Sequence, residues 1–305
     1  MNNIEELRGN IARRKVADTL FTIIGLMSLL VAVITLLALT IQLAIDGAPR
    51  IDWQFFTTFP GRNAEEAGIL SAWVGTSLVM LVTALSAIPV GVASGVYLEE
   101  YARKNWIADL IEINVTNLAG VPSIIYGLLA LGLFVYKLNL GQSVLTAGLT
   151  LSLLVLPVVI VTTREALRAI PNSIREAAYA LGATKWQMIW DHILPYSTGG
   201  ILTGVIVGLA RAIGETAPLV TIGALTFIAF LPDAPFKGEF PYISLAWLTA
   251  PFTVMPIQMF DWVSRPDPEF QLNAAAAGIV LIGMTVVMNG IAIYLRYRFR
   301  KGIKW

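Results

Sequence analysis

Arg211 and Glu215 stand alone as charges inside an otherwise apolar run from Ile201 to Phe230. A charge at the centre of a bilayer costs about 2.5–3.5 kcal/mol on insertion scales, so two of them need a reason to be there. Their spacing of four puts them on one helical face, where they can pair. A guanidinium presents a planar fork of donors that suits a tetrahedral oxyanion. Arg211 is therefore a candidate anion contact. Glu215 would orient it and compete with the anion for it, which favours release. Thr216 adds a neighbouring hydroxyl donor. The competing reading is a structural ion pair, although Arg before Glu is the weaker order for one. Pro218 and the length of the run predict a kink close by. No covalent chemistry is expected. The chain has no cysteine and one histidine, His192, which excludes thiol nucleophiles, disulfides and a multi-histidine metal centre.

A second stretch, residues 164–195, is polar, helix-forming and lies between two apolar runs. The spacing predicts two short helices. One is capped by Ser173 with Glu176 in capping-box register and closed by Gly182 in the left-handed conformation. The other is capped by Thr184, spans Lys185 to His192 and ends before Pro195. Ala177 and Ala178 would leave the backbone open to an approaching protein. Gly120-Val121-Pro122-Ser123 is a third irregular stretch, a place for a broken helix that lines a pathway. Irregular backbone at membrane depth survives only beside protein or a water-filled cavity. Gly199, Gly200, Gly204 and Gly208 mark a close-packing helix face.

These features are carried by a chain that is 56% hydrophobic and only 13% charged, with mean hydropathy +0.72. That composition reads as an all-α, polytopic membrane helical bundle. The net charge of +1 offers no footprint for nucleic acid. Six transmembrane helices are expected at 19–45, 69–98, 113–136, 142–163, 197–229 and 273–295, with membrane lipid around them. The first run is too long for a signal peptide. Six spans place fifteen of the 21 Lys and Arg on the side of the two termini, which makes that side cytoplasmic. A seventh span at 242–262 is disfavoured by Pro251 and Pro256 and by the charge rule. The segment 230–272 is read instead as an outer segment packed on, or dipping into, the membrane face. The aromatics Trp53, Phe55, Phe56, Phe59, Trp247, Phe252, Phe260 and Trp262 read as an interfacial belt. The organisation expected is an N-terminal unit at 1–68, a transmembrane domain at 69–295 and a basic tail at 296–305.

Glu176-Ala177-Ala178, three residues, Gly182, eleven residues and Leu194-Pro195 together resemble the cytoplasmic loop motif of ABC importer permeases. One departure is His192, where an isoleucine is usual. Ala210 to Pro218 is similar to the signature of phosphate ABC transporter permeases, as are Gly120–Gly127 and Asn172–Lys185. The resemblance implies the type I ABC importer permease architecture and alternating access. It implies that Glu176, Ala177, Ala178 and Gly182 couple to an ATPase, and that Arg211, Glu215 and Thr216 line the anion pathway. The partners implied are a second permease subunit (PstC-like), an ATPase dimer (PstB-like) and an extracytoplasmic phosphate-binding protein (PstS-like), with phosphate as cargo. ATP and Mg would sit on the ATPase and no cofactor in this chain, which has no GxxxxGK[ST] loop. Two alternatives stay open. One is another tetrahedral oxyanion, molybdate or sulfate, and the other is a secondary transporter.

Overall fold

The computed structural model describes residues 2–103, 105–235, 242 and 244–301. Parts of the expected outer segment (236–241 and 243) and of the basic tail (302–305) lie outside the described residues. The described chain is helical. It begins with α1 (Asn2–Gly47), α2 (Trp53–Thr57) and α3 (Leu70–Val96), which passes into a π turn at Tyr97–Tyr101. Then come α4 (Trp106–Leu118), α5 (Ser123–Ala130) and α6 (Val144–Arg168). A short α7 (Asn172–Ala180) and α8 (Lys185–Gln187) precede α9 (Leu194–Ala212) and α10 (Ala217–Thr221). The described chain closes with α11 (Met255–Val263) and α12 (Glu269–Lys301). Among the described residues five helices are long and apolar enough to cross a membrane, or six if the bent pair α4–α5 is one span.

The centre of the bundle is α6, packed between α3 and α9, and α12 closes over α9. Val79, Val82, Leu151, Val155, Val159, Val205 and Leu209 form its core. The glycine stripe on α9 does what its spacing predicts. Gly200, Gly204 and Gly208 lie against Ala166, Thr162 and Val155 of α6, whose side chains fill the space a Cβ on α9 would need, so the two helices pack closely. Gly199 faces open space. By contrast, α1 is exposed along most of its apolar length and meets α12 near its end, where Leu43 lies by Gly278 and Gly47 is buried against Ala276.

Three expectations meet the structure. First, the break expected at Gly120–Ser123 is present, so the apolar run at 113–136 is not one straight span. It breaks between Leu118 and Ser123, and the halves diverge by 106°. Pro122 causes the break, because it has no amide hydrogen to donate and restricts the residue before it. Second, the run at 197–229 starts earlier and stops earlier. A continuous helix spans Lys185–Ala212, passing through Pro195. A π turn at Met188–Ile193 absorbs the mismatch just before the proline. Third, half of the expected aromatic belt is core. Phe55, Trp247, Phe252 and Trp262 are buried, whereas Trp53 and Phe260 are exposed. Trp262 packs against both Phe55 and Phe270. The segment leading into α11 is pinned on α3 by the Met255 amide, which donates to Thr76 Oγ1 at 2.9 Å.

Candidate functional site

α9 ends at Ala212, and two short backbone hydrogen bonds, from Gly214 to the Arg211 carbonyl and from Glu215 to the Ala212 carbonyl, wind down its last turn. The chain then restarts as α10, with Pro218 in its first turn, where a missing N–H costs nothing. Arg211 is the last basic residue of α9 and Glu215 lies in the gap. The pair thus bridges a helix break instead of lying on one intact face, as the spacing had suggested. Arg211 Nε meets Glu215 Oε1 at 3.3 Å. The guanidinium is open, with 45% of the side chain exposed on the isolated chain, while the carboxylate is shielded at 18%. Thr216 precedes α10, and its side chain makes no capping bond there.

The two breaks come together. α5 packs across α10, and Gly127 sits directly beneath Pro218 and Thr221. A Cβ at Gly127 would stand 2.7 Å from Pro218 Cα and closer still to Thr221 Oγ1. The break in α4–α5 is itself stitched by Tyr126, whose hydroxyl donates to the Leu118 carbonyl at 2.7 Å. That bond satisfies a carbonyl freed at the end of α4. The irregular stretch at 120–123 and the charged stretch at 211–216, 91 residues apart from Gly120 to Arg211, therefore flank one contact.

At the opposite functional element, α7 is held against the bundle. Ala178 is buried with Leu167, Ile170, Met188, Ile189 and Ile193. It packs the loop inward and does not open the backbone, contrary to the reading of Ala177 and Ala178 together. Glu176, Ala177 and Gly182 are exposed. Gly182 has φ +82°, the left-handed closure expected of it. Ser173 is not the cap. Pro171 takes that position, and no side chain caps α7. Thr184 does cap, in a full capping box with Gln187. Beside these residues Leu181 is 88% exposed, and Tyr179 and Trp186 are exposed too. The sequence reading missed this apolar rim, because a lone exposed leucine has no sequence signature.

It also missed an ionic hub at the same end of the bundle. Arg175 donates to Glu100 Oε1 at 2.8 Å and to the Leu167 and Ile170 carbonyls at 3.0 and 2.9 Å. Arg164 pairs with Glu112 at 2.8 Å and Glu99 at 3.4 Å. Arg168 pairs with Glu99 at 2.8 Å and Glu112 at 3.4 Å. Partners from 52 to 75 positions away gave no local pattern to read.

Comparison with known proteins bears on what this arrangement serves. Residues 87–301 match the family described as "Binding-protein-dependent transport system inner membrane component". The phosphate transport system permease protein PstA of Yersinia pestis is 32% identical, over 94% of this chain and 92% of its own length. PstA of Mycobacterium leprae is 36% identical, over 95% and 92%. The probable ABC transporter permease protein YqgI of Bacillus subtilis is 33% identical, over 92% and 96%. An inward-facing structure of the MetNI methionine ABC transporter matches with TM-score 0.54 at 16% identity, over 76% of this chain and 95% of that one, which speaks for the fold alone.

Proposed function

Because this chain belongs to the binding-protein-dependent transport system inner membrane component family, we propose that it is the permease subunit through which an ATP-driven importer passes inorganic phosphate. The chain is a multi-pass inner-membrane protein and not itself an ATPase; it works with an ATPase and a binding protein. The observation that carries the cargo is that relatives similar over more than nine-tenths of this chain are named phosphate transport permeases. The partners would be PstC-like, PstB-like and PstS-like subunits.

In this reading the helix break at 213–216 is the anion station. The open side of Arg211 meets phosphate, while Glu215 holds the guanidinium in place and competes for it. Thr216 offers a hydroxyl one residue on. Such a site binds weakly enough to let go, which conduction requires. At the other end, α7 is the coupling helix, facing the cytoplasm together with both termini. Glu176, Ala177 and Gly182 present the docking surface, Ala178 fixes it to the bundle, and Leu181, Tyr179 and Trp186 supply apolar anchors for the ATPase. ATP binding closes the ATPase dimer, α7 moves with it and the spans reopen outward.

The test is phosphate uptake into vesicles holding the assembled importer, for wild type and Arg211→Gln. ATP-dependent uptake by wild type, with a loss of at least tenfold in the variant and assembly intact, is the expected result. Full uptake by the variant would make Arg211 structural. Movement of sulfate or molybdate in place of phosphate would overturn the cargo.

A further inference from the structure

We propose that Glu112 is a positioning residue that ties the coupling helix to the broken pair α4–α5, so that movement of α7 is delivered to the helix break at 213–216. The inference rests on the proposed coupling role of α7 and the proposed station at the break, not on phosphate as the cargo.

The connection is continuous. Arg175 of α7 grips Glu100, in the π turn that ends α3, the Leu167 carbonyl of α6 and the Ile170 carbonyl just past it. Its neighbour Glu99 binds Arg168 and Arg164 of α6. Both arginines also bind Glu112 of α4. Four of the six members are largely withdrawn from solvent, with Glu100 7% exposed, Arg164 10%, and Glu99 and Arg175 17%, whereas Arg168 and Glu112 are half-exposed. Water cannot readily replace partners in such pairs, so they resist separation. The ends of α3 and α6, the middle of α4 and α7 therefore form one ionic hub.

α4 is otherwise loosely held. Every one of its residues is exposed or half-buried, and no apolar core cluster includes any of them. Its two bonds to α6 through Glu112 are thus its main registered link to the bundle. Beyond the bend, α5 presses on α10, which begins just past Arg211 and Glu215. A displacement of the hub turns α4, and the bend redirects that displacement into α5 and α10. Coupling needs such a chain of paired, packed elements with two arrangements. Glu112 is half-exposed, at 36%, and after its removal Arg164 and Arg168 both keep Glu99 as a partner.

The experiment compares wild type, Glu112→Gln and Glu112→Asp in the assembled importer in vesicles, reading both ATP hydrolysis and cargo moved per ATP. The cargo is phosphate, replaced by sulfate or molybdate if wild type does not move phosphate, so failure of the cargo reading shows in the wild-type control alone. The expected result for Glu112→Gln is hydrolysis within about twofold of wild type and at least a tenfold loss of cargo per ATP, with Glu112→Asp regaining most of the ratio. An unchanged ratio in Glu112→Gln overturns the proposal. So does a parallel fall of uptake and hydrolysis, which marks a structural role only. If Glu112→Gln fails to assemble, Arg168→Gln takes its place, because that arginine is half exposed and shares the same carboxylate; an unchanged ratio there overturns the proposal equally.

Discussion

Arg211 and Glu215 meet through a single Nε–Oε1 contact at 3.3 Å, leaving the rest of the guanidinium fork open. A partly exposed pair of this kind contributes little to stability, on the order of 0–1 kcal/mol. Such a small gain does not offset the cost of placing charges in an apolar run, which favours a ligand role for the open face. The role should depend on the fork as well as on the charge, because lysine offers a point charge without bidentate geometry. Arg211→Lys is expected to lower uptake roughly tenfold, equivalent to about 1.4 kcal/mol of transition-state stabilisation. The check is initial uptake rate in vesicles; a rate equal to wild type would mean that only the field of the charge matters.

Among the elements, two interrupted helices meet at Gly127. Both interruptions were visible in the sequence as Pro122 and Pro218 with glycines around them. Their contact was not, because nothing local links residue 127 to residues 218 and 221. The close approach makes Gly127 a sensitive position. Gly127→Ala forces α5 away from α10 and should destabilise the purified subunit by about 1–3 kcal/mol, the usual cost of overpacking. Gly132→Ala is the control, since open space surrounds that glycine. Thermal unfolding in detergent should lower the midpoint for the first and not the second. Equal midpoints would show that α5 and α10 separate without cost. The helix-capping signals fared unevenly for a similar reason. Thr184 and Gly182 act through neighbours within a turn, so they were legible. Ser173 was displaced by Pro171, whose fixed φ already starts the helix.

For the whole molecule, we propose from the distribution of Lys and Arg that α7 and the termini lie inside and the loop between α1 and α3 outside. The absence of cysteine allows a clean test. A single cysteine at Leu181, on the exposed rim, should react with a membrane-impermeant maleimide only after cells are opened. One at Asn63 should react in intact cells. The reverse pattern would invert the topology and remove α7 from reach of the ATPase. α1, exposed along most of its apolar length, needs no protein cover there in lipid, where an apolar helix surface is already solvated.

Composition, run length and charge bias by themselves determined that this is a helical membrane protein with six apolar passages, because those properties follow from transfer free energy summed over each segment. The motif around Glu176 and the lone charges at Arg211 and Glu215 likewise stood out from their immediate surroundings. Only the tertiary structure decided which breaks touch, which aromatics are core and which acids hold Arg164, Arg168 and Arg175. Those are pairings between residues far apart in the chain, and they are selected by packing and by the scarcity of water around buried charge, neither of which a local pattern records.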